Sequence, residues 1–149
     1  NMTMSASVPE FTITRTLNVR RELVWRAWTE KNELAAWLPS TPLESISFDV
    51  REGGRYRYTM VNAETGEEYH TGGVFLDVVP FDRLVFTWGY PDAPIEGSPV
   101  VTLTLTAQGD RTEMIFNLRG VAGQPGDKFF YDGWSSTLDN LATHLRDQK

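Results

Sequence analysis

The sequence contains no cysteine, and this absence removes several kinds of site at once. Without thiols the chain cannot form a disulfide scaffold, a cysteine nucleophile, an iron–sulfur cluster or a thiolate zinc site. Two histidines, His70 and His144, are too few for a histidine-rich metal site, and the carboxylates follow no metal-ligand spacing. We therefore expect no metal and no cofactor.

Positive charge and long apolar runs are also scarce. Fourteen basic residues stand against 20 acidic ones, which gives a formal net charge of −6. A nucleic-acid-binding protein usually presents a basic face, and an acidic protein is not attracted to anionic membranes, so we expect neither partner. No apolar stretch approaches the roughly 20 residues that a membrane-spanning helix needs.

Targeting and cofactor motifs are missing as well. The N-terminus has neither the basic start nor the apolar run of a signal peptide, which predicts a cytoplasmic protein. Because residue 1 is Asn rather than Met, we interpret residues 1–9 as a disordered or tag-derived N-terminus and residues 10–149 as one domain. No glycine pair opens a phosphate-binding helix, and no Gly-x-Ser-x-Gly elbow occurs.

What the sequence does contain is clear hydrophobic periodicity. Residues 10–17 alternate with the period of a strand, and residues 21–39 have the spacing of two short helices. From residue 43 to 119 the alternation continues through six strand candidates separated by turns. Residues 127–146 carry one apolar stripe of helical period. The pattern predicts an α+β fold of order β-α-α-β6-α, in which a curved antiparallel sheet of about seven strands surrounds a long C-terminal helix.

Short stretches along most of the chain carry a family resemblance. They are Glu-Leu-Val-Trp-Arg-Ala-Trp-Thr (22–29), Leu-Ala-Ala-Trp (34–37), Phe-Asp-Val-Arg-Glu-Gly-Gly-Arg-Tyr (48–56), Gly-Val-Phe (73–75) leading to Val-Pro (79–80), Arg-Leu-Val-Phe-Thr-Trp (83–88) and Gly-Trp-Ser-Ser-Thr-Leu-Asp-Asn-Leu (133–141). In this order they resemble the AHSA1-like branch, the Hsp90-ATPase-activator homologues, of the SRPBCC (START and Bet v 1-like) superfamily. The resemblance implies the helix-grip fold and an apolar cavity between sheet and long helix.

Two departures from the family pattern affect what the resemblance implies. The family often has paired Trp followed by Gly-Pro after the second helix, whereas this chain has Trp37-Leu38-Pro39-Ser40. Since that pair commonly sits near the pocket mouth, a different ligand preference is implied. The additional N-terminal domain that eukaryotic Hsp90 activators use for chaperone contact is not present in this sequence, so we do not expect the Hsp90 role to transfer.

Large rings dominate the candidate ligand site. Strand alternation and the helix stripe place aromatic side chains toward one interior space, where they line a cavity or pack solid. The candidate ligand-binding residues are Trp37, Phe48, Tyr56, Tyr58, His70, Phe86, Trp88, Phe130 and Trp134. The helical Gly133 indicates a need for space or close approach beside Phe130 and Trp134, because glycine weakens a helix interior.

No catalytic residue is firmly indicated, and His70 with Glu68 is the weak candidate pair. His70 shares strand parity with Val74, Leu76 and Val78, which would point it inward. There a carboxylate partner would suit acid–base chemistry near neutral pH. The alternatives are an exposed strand histidine and a parity shift at Gly72-Gly73, a pair that indicates a bulge or a close backbone approach.

Three functions follow, in order of preference. The first is binding of a small hydrophobic ligand without catalysis, because aromatic faces lack an obvious nucleophile, metal or cofactor loop. The second is a chaperone-associated interaction module that uses exposed Trp25, Phe129 or Tyr131. The third is a cyclase-type, dehydratase-type or hydrolase-type enzyme that acts on a hydrophobic substrate through His70, Glu68 and a tyrosine. A homodimer is compatible with all three.

Overall fold

A computed structural model describes residues 8–148. The interpretation of residues 1–9 as a disordered or tag-derived segment therefore falls largely outside the described residues. Pro9, which lies inside them, is held in place because its carbonyl oxygen accepts a hydrogen bond from the N–H of Gly120 at 2.8 Å.

Seven antiparallel strands form one sheet in the order β1-β7-β6-β5-β4-β3-β2. The strands are β1 (Glu10–Leu17), β2 (Ser47–Phe48), β3 (Arg55–Val61), β4 (Glu68–Val79), β5 (Arg83–Thr87), β6 (Val100–Gln108) and β7 (Arg111–Arg119). Strands β2 to β7 pair with their sequence neighbours, and β1 closes the far edge on β7. The predicted meander is thus confirmed.

Strand β4 connects the two halves of the sheet. Its first part pairs with β3 from Glu68 to Val74, and its second part pairs with β5 from Phe75 to Val79. A register shift between Phe75 and Asp77 separates the two parts. Such a bulge bends a strand and increases its twist, which helps the sheet curve around the helix.

Three α-helices complete the chain. They are α1 (Arg21–Thr29), α2 (Lys31–Trp37) and α3 (Phe130–Arg146), with a 3₁₀ turn at Leu43–Ser45. Helix α3 begins three residues later than the sequence predicts, because Lys128 has a positive φ of 61° that a continuing right-handed helix does not allow. None of the helices between residues 8 and 148 has the length and apolarity to cross a bilayer.

The core lies between the concave face of the sheet and α3. The inward residues of β6 and β7 are almost fully buried, as are Leu138, Leu141 and Leu145 of α3. Side chains of α1 and α2 close the same core from one side, with Val24 and Trp37 at most 1% exposed. The predicted α+β, helix-grip arrangement is therefore confirmed.

Candidate functional site

A pocket of about 250 Å³ lies between the first turns of α3, the end of α2 and the strands β3 and β5. We call it the outer pocket. Its lining is mainly aromatic and aliphatic and consists of Leu38, Pro39, Tyr58, Met60, Trp88, Phe129, Phe130, Gly133, Trp134 and Thr137. The composition fits an apolar ligand, since binding sites for such molecules are largely apolar with few polar groups.

A second, much smaller space of about 20 Å³ lies deeper in the core, and we call it the inner cavity. Its lining is Trp28, Leu34, Trp37, Leu38, Phe48, Tyr56, Tyr58, Phe75, Leu84, Phe86 and Trp134. Leu38, Tyr58 and Trp134 border both spaces, so they form the boundary between them. A space of about 20 Å³ holds one water-sized atom and no more.

The outer pocket owes part of its room to Gly133. A Cβ atom built on this residue would have no heavy atom within 4 Å outside its own helix. The glycine therefore lies beside open space. The alternative from the sequence, a close approach of another backbone segment, is not observed at Gly133.

Interlocking rings form the wall beside this glycine. The ring of Trp88 meets those of Phe130 and Trp134 edge to face, each at 5.7 Å between centroids. Trp134 is 8% exposed, whereas Phe130 is 44% exposed at the pocket rim. The arrangement holds the wall rigid on the inside and leaves its outer edge in contact with solvent.

The two neighbouring tyrosines of β3 point inward, as their alternation predicts. The hydroxyl of Tyr56 donates a 2.6 Å hydrogen bond to the backbone oxygen of Thr87, so its polar tip is engaged within the sheet. Burial raises the pKa of Tyr56 well above its ordinary value. Burial also raises the pKa of Tyr58 to about 12, although hydrogen bonds with Trp88 and Thr71 lower it in part. Both phenols are neutral at physiological pH.

The Gly72-Gly73 pair marks a close backbone approach, one of its two predicted meanings. A Cβ atom on Gly73 would lie 2.1 Å from the backbone oxygen of Thr87, on the neighbouring strand β5. The Thr87 hydroxyl in turn accepts the N–H of Val74 at 2.8 Å. The bulge itself lies further along, between Phe75 and Asp77.

Of the two orientations considered for His70, the inward one is wrong and the exposed one is what the structure shows. Thr71 and Phe75 face the core, whereas the side chain of His70 is 49% exposed on the outer face of the sheet. There its Nδ1 lies 2.9 Å from the hydroxyl of Thr59, and its Nε2 lies 3.7 Å from Glu68. The inward parity of Val78 does not extend back to His70, because the bulge at Phe75–Asp77 inverts the alternation.

The other eight candidate residues are brought together around the two spaces. Trp37, Phe48, Tyr56, Phe86, Tyr58 and Trp134 line the inner cavity, and the last two line the outer pocket with Trp88 and Phe130. His70 and Glu68 instead border a surface groove with Tyr69 and Tyr90, and this groove meets the outer pocket at Trp88 and Phe130.

The aromatics considered for protein contact differ in exposure. Phe129 is 77% exposed, as predicted. Trp25 is only 8% exposed and lies with its ring 6.3 Å from that of Phe81, so its expected exposure is wrong. Tyr131 is half-buried against Phe11, with 5.3 Å between ring centroids.

Sequence reasoning missed several lining residues of the outer pocket. Met60 shares the strand parity of Tyr56 and Tyr58, and this signal was available. Leu38 and Pro39, the departure from the paired-Trp pattern, lie at the pocket as the family comparison implied. No sequence pattern pointed to Thr137. In the structure its hydroxyl donates a 2.9 Å hydrogen bond to the backbone oxygen of Gly133 in the same helix.

The loop before α3 fixes the pocket rim through two carboxylates. Asp127 accepts the N–H of Phe129 at 2.8 Å, and Asp132 accepts the N–H groups of Gly126 and Lys128 at 2.9 Å each. Desolvation acts to raise the pKa of Asp127, but hydrogen bonds from four backbone N–H groups, led by that of Phe129, lower it below the ordinary value. The loop therefore places Phe129 and Phe130 through bonds to an ionised carboxylate.

No group of three or more potential metal-ligating side chains occurs within residues 8–148. The half-buried pair His144 and Glu33, 2.8 Å apart, joins α3 to α2 and lies outside the two spaces. The chemistry that the site offers is therefore apolar contact.

Solved structures share this architecture at low sequence identity. Protein CV1439 from Chromobacterium violaceum is 26% identical, with a TM-score of 0.75 over 90% of this chain and 95% of that one. Protein NE0264 from Nitrosomonas europaea is also 26% identical, with a TM-score of 0.73 over 97% and 98%. The AHSA1-like protein from Aeromonas hydrophila is 19% identical and has the same fold, with a TM-score of 0.76 over 93% of each chain.

No curated protein matches this chain. The family model for activator of Hsp90 ATPase homolog 1-like protein matches residues 18–146, which include every residue that lines the outer pocket and the inner cavity. The chain therefore belongs to the AHSA1-like family of the SRPBCC fold.

Proposed function

We propose that the protein binds a small hydrophobic ligand in the outer pocket. The observation that carries the proposal is a pocket of about 250 Å³ whose walls are mainly apolar, at the open end of a core that is otherwise closely packed. A concave, mainly apolar site with few polar groups is the usual form of a small-molecule binding site.

The dimensions of the pocket restrict the ligand. Its volume is just below the roughly 300–1,000 Å³ that is typical of small-molecule sites. The rings of Trp88 and Trp134 offer edges and faces for stacking. A flat molecule of about two fused rings suits this space better than a long acyl chain.

Catalysis is not part of the proposal. His70 and Glu68 are exposed on the outer face of the sheet and line neither the outer pocket nor the inner cavity. Burial raises the pKa of both Tyr56 and Tyr58, so both phenols are neutral and neither is poised as a base near neutral pH.

Protein interaction has one supporting residue among the three predicted. Phe129 is well exposed, but it forms the rim of the outer pocket, and Trp25 is buried. The same surface is explained by ligand entry, so we propose no chaperone contact.

Gly133 provides the test, because substitutions there change pocket volume without entering the packed core. The neutral fluorescent probe N-phenyl-1-naphthylamine is titrated against the natural protein, Gly133→Ala and Gly133→Leu. We expect the alanine variant to bind about as tightly as the natural protein. The leucine variant should bind at least about tenfold more weakly, since its side chain occupies the pocket.

Two results would contradict the proposal. Equal affinity of all three proteins for the probe would place the binding site elsewhere. Absence of saturable probe binding to the natural protein, together with native mass spectra that contain no bound small molecule, would remove the ligand-binding function itself. Unfolding curves of each variant serve as the control for folding.

A further inference from the structure

The indole N–H of Trp28 has no hydrogen-bond acceptor among residues 8–148. Trp28 is 3% exposed, so its donor is also shielded from solvent. Leaving a buried donor unpaired costs free energy, and each such group in a folded protein requires an explanation.

Trp28 lies on the wall of the inner cavity. Its ring is fixed among three others, with centroids 4.8 Å from Trp37, 6.3 Å from Phe116 and 6.4 Å from Phe86. The close packing makes rotation of the indole toward an acceptor elsewhere in the protein costly.

Two other polar groups on the cavity wall already have partners. Nε1 of Trp37 donates to the backbone oxygen of Ala27 at 2.9 Å, and the hydroxyl of Tyr56 donates to that of Thr87. A buried water typically makes about three hydrogen bonds, and the lining of this cavity is mainly apolar. An oxygen atom that belongs to a larger apolar molecule needs only one donor.

The two spaces are arranged for such a molecule. Leu38, Tyr58 and Trp134 separate the inner cavity from the outer pocket, so an atom that enters the cavity from the pocket passes between them. The cavity admits one oxygen-sized atom, and the pocket admits a ring system.

We propose that Trp28 is a specificity-determining residue whose indole N–H receives a carbonyl oxygen at the inner end of the ligand. The preferred ligand class is then an aromatic ketone or aldehyde, with its rings in the outer pocket and its oxygen in the inner cavity. This inference rests on the proposed function, because it describes how a ligand of the same pocket is selected.

Two probes of nearly equal shape isolate the oxygen. 2-Acetylnaphthalene carries a carbonyl where 2-isopropenylnaphthalene carries a C=CH₂ group. We expect the ketone to bind the natural protein about tenfold more tightly, as expected when one buried donor gains its partner. In Trp28→Phe the two probes should bind equally. Trp25→Phe is the matched control, because the Trp25 ring is buried but lines neither space, and it should keep the preference.

Nuclear magnetic resonance of the natural protein supplies a readout that does not depend on a variant's stability. Each of the five Trp residues gives an indole N–H signal. The ketone should shift the Trp28 signal downfield, as a new hydrogen bond does, and the alkene should leave it nearly in place. Both probes should perturb the Trp88 and Trp134 signals, which report occupation of the outer pocket.

The outcomes separate the two proposals. Equal binding of both probes, with Trp88 and Trp134 perturbed and the Trp28 signal unchanged, would overturn the role of Trp28 and leave the pocket as the binding site. That result would indicate that the Trp28 N–H interacts instead with the π face of the Trp37 ring, whose plane lies at 67° to that of Trp28. If neither probe perturbs any indole signal, this inference is overturned together with the proposed function.

Discussion

The two halves of helix α3 face the same sheet and differ in what they do. The second half presents Leu138, Leu141 and Leu145, which are 0%, 0% and 2% exposed. The first half presents Phe130, Gly133 and Trp134, beside a pocket of about 250 Å³. Aliphatic residues close one end of the core, whereas large rings around a glycine leave the other end open.

The difference teaches that one amphipathic stripe can serve two purposes. Branched aliphatic side chains adapt to each other and fill space, but flat rings held edge to face leave gaps between them. The glycine then keeps the gap from being filled by the helix itself. We expect the closed half to contribute stability and the open half to contribute binding.

The largest test of this division is truncation within each half. Leu141→Ala should lower the free energy of unfolding by about 3–5 kcal/mol, because it leaves a cavity in a fully buried cluster. Phe130→Ala should cost less than about 1 kcal/mol, since the ring is 44% exposed. Urea unfolding of both variants measures the two losses in the free energy of unfolding. Equal losses would contradict the division of α3 into a stabilising half and a binding half.

Tyr58, at the boundary of the two spaces, predicts a loss of stability in alkaline solution. The pKa of Tyr58 is about 12 in the folded protein and about 10 in the unfolded chain. The contribution of Tyr58 to the free energy of unfolding is therefore fully present below about pH 10. It falls by about 3 kcal/mol as the pH rises toward 12, because the unfolded chain ionises first.

Urea midpoints measured across that range test the effect of Tyr58. The variant Tyr58→Phe should lose less stability between pH 10 and 12 than the natural protein does. Tyr90→Phe, at a residue 78% exposed, is the matched control and should behave like the natural protein. Identical alkaline profiles for all three proteins would show that Tyr58 is not the buried phenol responsible.

A smaller effect of opposite sign is expected at Gly133. Gly133→Ala should raise the free energy of unfolding by about 1 kcal/mol, because alanine favours the helix and its Cβ meets open space. Gly73→Ala is the control at a crowded glycine and should destabilise the protein, since its Cβ would lie 2.1 Å from Thr87. A destabilised Gly133→Ala variant would mean that the pocket is closed in solution.

The smallest effect concerns the loop that carries the pocket rim. The folded-state pKa of Asp127 is lowered, so its contribution is present above the unfolded value of about 3.9 and is lost as the pH falls through the folded one. Below about pH 4 the amide of Phe129 should exchange faster relative to its intrinsic rate, while that of Leu141 stays protected. In Asp127→Asn the pH dependence of Phe129 amide exchange should disappear. If it persists, another carboxylate is responsible for it.

The sequence was informative wherever one side-chain face is buried along an uninterrupted element. Tyr56, Tyr58 and Phe86 are inward as their alternation predicts. The same rule failed for His70, because the bulge between Phe75 and Asp77 changes which parity faces the core. The bulge lies in the pairing of β4 with β5, and no pattern within β4 marked its position.

Exposure of single aromatics was predicted less well. Phe129 is exposed as expected, but Trp25 is covered by Phe81 from the turn between β4 and β5. Contacts between residues so far apart in sequence depend on how the helices dock on the sheet. The sequence also carried no indication that the indole N–H of Trp28 is unpaired, since an unpaired group is recognisable only when its surroundings are known.

The sequence by itself determined the element order, the antiparallel meander and the concentration of large rings around one interior. Each of these follows from local periodicity, which depends on neighbours along the chain. Only the tertiary structure decided that this interior is nearly filled at its centre and open at one end. That outcome depends on how side chains from α1, α2, α3 and the sheet meet, and a cavity is the space that these distant residues fail to fill together.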